Sequence, residues 1–523
     1  MGRVRGAPHP LLFELLYQPA LAEDLAAALP HLLRIDAAHV LMLAATGLLD
    51  AAAAARLLSL NRELAERLRR GEAPWSAAGP HRGLYWLYEQ ELIRRLGAEV
   101  GGAAHLARSR NDINAAVARL RAREELLLAL DDLGALLAAM VAAGTEHAET
   151  LMSSFTHLQP AQPSTLGHYL AGVGAELART GEWLASTFDV VNRSPLGAAA
   201  GAGTSFPVDR ERVARYLGFA GVIASSLDAV ASRDYLVQML SAAAMLGSTL
   251  TRLAGDLQLW SSYAYGFIGW PDELVSASSV MPQKRNAFVL ENVRGHAVRP
   301  AAALMNTLLA LKSAPFANSV EVSAEATAPA WPALHALRQA LRLTTLLLGH
   351  LQVFPERMRA FLERAEITMT ALADTLVARH GLAFRTAHDA VGTWLRRLPG
   401  GGAMDAETVA SELEEILAPA LARRPRLDRA VIAAALDPAA CLAAARHGGG
   451  PAPASVRAQL QALGEAGERW RARTAAWRLQ LAEADARLAL DAVAAAAAAP
   501  AAAAARSAPA GPRRPSPRRG PRR

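Results

Sequence analysis

An all-α protein built on a bundle of long helices is what this sequence predicts, and three observations predict it. Hydrophobic residues fill 52% of the 523 positions while aromatics fill 5%, because the apolar set is largely Ala and Leu. Both are strong helix formers, and β-branched residues are comparatively few. Apolar residues also recur at helical spacing over stretches longer than an ordinary globular helix. Polar segments containing Gly and Pro separate those stretches. A chain of this length exceeds one small core, so it divides into several domains or forms one elongated helical assembly.

The elements follow in order. Residues 1–110 carry short helical patterns, such as Leu21–Leu29 and Ala37–Leu48, broken by Pro and Gly, and read as an N-terminal helical domain. Asn111 and Asp112 read as a helix cap. After them Val117, Leu120, Leu127, Leu130, Leu137 and Val141 form one stripe of roughly eight to nine turns. Similar stretches at Leu166–Thr187, Ser232–Trp260, Ala287–Leu311 and Ala328–Leu351 complete a central bundle domain, residues 111–360. Long helices that bury two faces also build subunit interfaces. Residues 361–490 have shorter helices, with loops at Pro399–Gly402 and Gly448–Pro453, and read as a C-terminal helical domain. Residues 491–523 are rich in Ala, Pro and Arg without periodicity and read as a disordered tail.

Charge narrows the function. The formal net charge is +7, yet Ala492–Arg523 alone holds seven Arg and no acidic residue. The body is therefore near neutral, which argues against a nucleic-acid-binding face. Cys441 is the one cysteine, so neither an intrachain disulfide nor a cysteine zinc site is expected. Met1–Pro10 lacks the apolar core of a signal peptide, and charges interrupt the apolar runs, so no membrane span is expected. The expectation is a soluble cytoplasmic protein. H-E-x-x-H, EF-hand and phosphate-loop patterns are absent, and neither metal nor cofactor is expected.

Four polar segments remain that an all-α core does not need. The most informative is Ser276–Glu291, S-A-S-S-V-M-P-Q-K-R-N-A-F-V-L-E. Ser278 and Ser279 lie in an Ala/Ser-rich loop, with Lys284 and Asn286 at fixed offsets. A hydroxyl on a loop, with a cation and an amide beside it, suits removal of a proton next to a carboxylate. Asn286 reads as the cap of a helix starting at Ala287, with Glu291 one turn inside. The second segment, His105–Asp112, places Arg108, Ser109, Arg110 and Asn111 at the mouth of the long helix, where arginines and a helix N-terminus suit carboxylates. The third, Phe155–Pro163, sets Thr156, His157 and Gln159 in a Pro-punctuated turn, and histidine exchanges protons near neutral pH. The fourth, Ser194–Pro207, has Gly197, Gly201 and Gly203 for close backbone approach but is no nucleotide fingerprint. Each has a structural alternative when taken singly. These are capping with a surface ion pair, a satisfied histidine, a flexible connection and, for Glu291, a surface charge.

Together and in this order, the segments resemble the aspartase/fumarase superfamily and, within it, the argininosuccinate lyase family. The superfamily signature G-S-S-x-x-P-x-K-x-N is matched from Ala277 to Asn286, with Ala for the first Gly. Arg108–Asp112, Thr156–Gln159 with Ala161–Pro163, Gly203–Pro207, Ser226–Val230 with Arg233 and Asp234, and Phe384–Arg385 also match. The resemblance spans roughly residues 30–470. It implies an all-α homotetramer with a central twenty-helix bundle, three helical domains per chain and active sites shared among three subunits. It implies anti β-elimination of fumarate from an N-substituted aspartate, a small anionic substrate, without a cofactor. By motif position Ser278 would take the Cβ proton. Lys284 and Asn286 would stabilise the aci-carboxylate. His157, paired with Glu291, would protonate the leaving nitrogen. Arg108, Ser109, Arg110, Asn111, Thr156, Gln159, Ser279 and Arg233 would bind substrate.

Departures from the family pattern cluster. Asn318, Ser323 and Ala326 stand where the family has Tyr, Gln and Lys in the pocket for the arginine-bearing part of the substrate. Ala107, Leu106, Ser225 and Tyr85 replace Gly, Thr, Asn and His. This pattern suggests a paralogue acting on a different N-succinyl substrate as the alternative to an argininosuccinate lyase. A catalytically silent structural member would be expected to have lost Ser278, Lys284 or Asn286, and the sequence keeps all three.

Overall fold

The computed structural model describes residues 6–72, 75, 81–397, 405–421 and 425–497. Its backbone is the helix Arg110–Glu146, whose 37 residues make it roughly 55 Å long. Ser109, rather than Asn111 or Asp112, is its cap. The Ser109 hydroxyl accepts from the Asn111 N–H at 3.3 Å, and the Asp112 carboxylate reaches back to the Ser109 N–H at 3.0 Å. This reciprocal pair is a capping box, with the carboxylate at the third helical position.

At the far end of this helix the chain forms an antiparallel hairpin, Leu151–Thr156 with Gln159–Thr165. The sequence predicts a turn for this stretch, and the structure has two paired strands instead. Pro160 and Pro163 lie in the second strand, which is tolerable because a two-stranded ribbon has an outer edge needing no donor. Helices Leu166–Ser186 and Asp234–Ser261 follow. The expected single helix from Ala287 to Leu311 is two, Phe288–Ala297 and Arg299–Lys312. Pro300 lacks the N–H that a continuous helix requires, so the break falls at Val298. Asn286 does not cap the first of them. It pairs with Ser276 in a short ladder, and Ala287 is the cap residue.

These helices and Ala330–Gly349 share one core, in which Leu126, Leu133, Leu177, Leu246 and Leu337 are buried. Gly247 lets two of them touch. A Cβ there would lie 1.9 Å from the Ala297 carbonyl oxygen. A second core joins the helices Leu29–Ala45 and Ala51–Arg69 to the start of the long helix. A third, smaller core lies between Leu372 and Ala435.

The final helix, Pro453–Ala497, crosses the boundary expected at residue 490. Ala492, Ala495 and Ala496 pack on the N-terminal core, and Tyr216 donates to Asp491 at 2.7 Å. Alanine's helix propensity and this packing extend the helix into the stretch read as tail. Residues 498–523 and the expected loop at 399–402 lie outside the described residues.

Among the described residues, two helical stretches, Pro10–Ala45 and Arg110–Glu146, are long and apolar enough to cross a membrane by length and composition. The second is a core helix. Its buried Arg119 and Arg123 donate to the carbonyls of Val190 at 2.7 Å and Leu217 at 3.0 Å, so its apolar face serves the bundle.

Candidate active site

The polar segments gather at two opposite poles of the bundle. At the first pole, the start of the long helix, Asp112 is wholly buried and accepts three backbone N–H groups. One oxygen takes Ser109, and the other takes Gly197 and Ala199, all at 3.0 Å. The carboxylate thus welds the glycine-rich loop to the helix. Burial pushes its pKa up to about 6, against the pull of those donors. Asn111 stands beside it, half-buried, donating to the Ala200 carbonyl at 3.4 Å and accepting from the Asn318 amide at 3.0 Å. The Asn318 carbonyl oxygen is buried without a partner.

Arg108 and Arg233 do not join this surface. The Arg108 side chain is 1% exposed and ion-paired with Asp36, itself accepting from Tyr88. Its Nη2 pairs with Asp36 while Nε and Nη1 are buried without hydrogen-bond partners among the described residues, so the guanidinium is enclosed in the N-terminal core and does not reach the surface in this conformation. Arg233 is buried and donates to the Ser232 and Val230 carbonyls. Arg110 is exposed and lines a cavity of about 160 Å3 with Arg82, Tyr85 and Asp24. Ala107, just before these residues, has φ +62°, a left-handed conformation that glycine adopts at little cost.

The second pole carries the hairpin and the serine loop. His157 and Leu158 form the hairpin tip with φ +52° and +61°. Positive φ at both central residues is the geometry of a tight primed turn, normally filled by Asn and Gly. Thr156, His157, Leu158 and Gln159 are all exposed, so the strained turn pushes a histidine and a leucine into solvent.

The serine loop rises from the ladder that pairs Ser276 with Asn286 and Ala277 with Arg285. Arg285 clamps its base by pairing with Asp272 and donating to the Trp270 carbonyl at 2.8 Å. The Ser278 Oγ accepts from the Met281 N–H at 3.0 Å and the Val280 N–H at 3.3 Å. The two donors hold the hydroxyl oxygen in place within its own loop. Ser279 and Lys284 are exposed, and Val280 is 83% exposed at the crest.

Glu291 accepts from the Gln258 amide at 3.1 Å. Among the described residues no hydrogen bond or ion pair links it to His157, or links the hairpin tip to the serine loop. One chain therefore offers polar surfaces at two poles, with the hairpin tip and the serine loop unbonded to each other at the second among the described residues. Asn111 and His157 lie at opposite ends of one helix of roughly 55 Å.

Two features escaped the sequence reading. The backbone donors at Val280 and Met281 have no side-chain signal. The other was countable. The chain contains two lysines, Lys284 and Lys312, against 53 arginines. One of the two lysines stands in the serine loop, and its compact ammonium differs in shape from the planar guanidinium the chain uses nearly everywhere else.

The lyase family model matches residues 87–300, and the argininosuccinate lyase C-terminal model matches residues 366–443. Argininosuccinate lyase 1 of Shouchella clausii is 34% identical over 463 residues, covering 88% of this chain and 92% of that protein. Argininosuccinate lyase of Methanosarcina acetivorans is 37% identical over 81% of this chain and 84% of its own length. Among solved structures, an EDDS lyase variant with bound fumarate superposes with TM-score 0.83 at 30% identity, covering 96% of this chain and 98% of that one. Class II fumarase from Schistosoma mansoni, 17% identical with TM-score 0.61 over 78% of this chain and 89% of that one, shares the fold.

Proposed function

The chain belongs to the argininosuccinate lyase family of fumarate-releasing carbon–nitrogen lyases, and on that premise we propose that it eliminates fumarate from argininosuccinate in a shared active site. The observation that carries this reading is the serine loop, with Ser278 Oγ held by two N–H donors on a segment that also bears Lys284 and Asn286. Ser278 takes the Cβ proton. The C–H electron pair becomes the new double bond through an aci-carboxylate, whose added charge Lys284 and Asn286 meet. The C–N bond breaks with its pair going to nitrogen, and His157 from another chain supplies the proton there. Asn111, Ser109 and Arg110 of a third chain, with Thr156, Gln159 and Ser279, hold the carboxylates.

A homotetramer supplies this assembly, because the poles of one chain are a helix length apart. The bundle helices support it by exposing Met245, Met305 and Leu309. Glu291 reaches His157 across such an interface. Arg108 and Arg233 act as positioning residues for the first pole. A cytoplasmic metabolic enzyme fits the reading.

A second reading has its own support. The EDDS lyase neighbour covers nearly the whole chain, and Asn318 is tied to Asn111 while the Ser323 hydroxyl donates to the Ser319 carbonyl. A site with fewer free polar groups selects a different leaving amine.

The test mixes two inactive variants, Ser278→Ala and Asn111→Ala, after dissociation and reassembly, and follows fumarate by absorbance with argininosuccinate. Restored activity in the mixture is expected, since some sites then combine intact segments. No restoration, with both variants assembled, would refute the shared site. Activity with another N-succinyl amine but none with argininosuccinate would select the second reading.

A further inference from the structure

Away from both poles, the helices Leu166–Ser186 and Pro453–Ala497 pack side by side and leave a cavity of about 410 Å3. Ala466, Arg469, Trp470 and Arg473 fall at i, i+3, i+4 and i+7, so they share one face of the C-terminal helix. Ala178, Arg179 and Glu182 line the wall opposite. The two alanines leave the space open, while Trp470 is wedged at its floor. A Cβ at Gly181 would lie 2.1 Å from the indole ring, so that position accommodates the ring by having no side chain.

The charges in this groove do not balance. Three arginines line it against one carboxylate, and that carboxylate is already engaged. Glu182 accepts from the Trp470 indole N–H at 2.6 Å through one oxygen and from Arg473 Nη1 at 2.7 Å through the other. Arg473 Nη2 is buried with no acceptor. Arg179 and Arg469 are exposed and enter no hydrogen bond or ion pair among the described residues. Like charges crowded into one groove repel, and an oxyanion with several acceptor oxygens removes that cost by accepting from more than one guanidinium.

We propose that this groove is a binding site for phosphate or a small phosphoester, held by Arg179, Arg469 and Arg473. It is separate from the segments that carry the elimination and does not depend on that reading.

The test is calorimetric titration of the full-length protein with inorganic phosphate in a phosphate-free buffer. Saturable binding at one site per chain is expected, weakened at least about tenfold in R179Q/R469Q. A second variant, Ala466→Leu, keeps every arginine but fills the cavity, and it should lose binding as well. Equal affinity in the wild type and both variants would place phosphate elsewhere, including on the arginine-rich terminus, and overturn the proposal. So would the absence of saturable binding to the wild type. Displacement of phosphate by fumarate would assign it to the active site and likewise overturn the proposal.

Discussion

Replacing Asp112 by Asn should make the stability of this protein respond differently to pH, and the size of the effect follows from the site. Asp112 is wholly buried, and its pKa lies near 6 in the folded chain against 3.8 for the free carboxyl. Because the folded value is the higher one, the folded chain holds a proton that the unfolded chain has released. Stability from this group is therefore greatest below about pH 4 and lost as pH rises through about 6. One unit below the folded midpoint, at pH 5, the gain over pH 8 is about 1.4 kcal/mol. Asn does not titrate. Its amide oxygen can serve Gly197 and Ala199, but its NH2 then faces the Ser109 N–H, and the unmatched donor costs ~1–3 kcal/mol. The variant should thus be less stable than the wild type at pH 5, with the gap narrowing by about 1.4 kcal/mol at pH 8. Urea denaturation at both pH values, at one fixed protein concentration because the family assembles, measures this directly. A gap of the same size at pH 5 and pH 8 would show that burial does not hold a proton on Asp112.

Two further perturbations test other parts of the argument. Lys284→Arg keeps the charge but not the compact ammonium, so kcat should fall about 10²–10³-fold with the assembly intact, and wild-type turnover would show that any cation suffices there. Ala107→Gly should raise stability by ~0.5–1 kcal/mol, because relief of the left-handed strain exceeds glycine's added entropy cost; an unchanged or lower denaturation midpoint would show that the strain is absent.

Helices and family were legible in the sequence because they are written in short spacings. The Ala/Leu periodicity announced the long helices, and the ordered motifs, the serine loop among them, announced the family. Boundaries slipped where a short-range rule had a rival. Asn111 and Asp112 look like caps, but the carboxylate of Asp112 serves Ser109 from inside the helix. The prolines of 160 and 163 look like a turn, but a two-stranded ribbon accepts them at its edge. The alanines beyond Asp491 were read as tail, yet they are helical to Ala497 because the N-terminal core, distant in sequence, receives them.

What the sequence determined by itself is the helical class and the family, since periodicity and ordered short motifs depend on neighbours within a few residues. Tertiary structure decided where those groups stand. Arg108 pairs with Asp36, 72 residues away, so an arginine that looked free for substrate is spent on the core. The length of one helix separates Asn111 from His157. A linear pattern carries no record of which distant side chain will claim a charge, or of how far a rigid rod will carry two motifs apart.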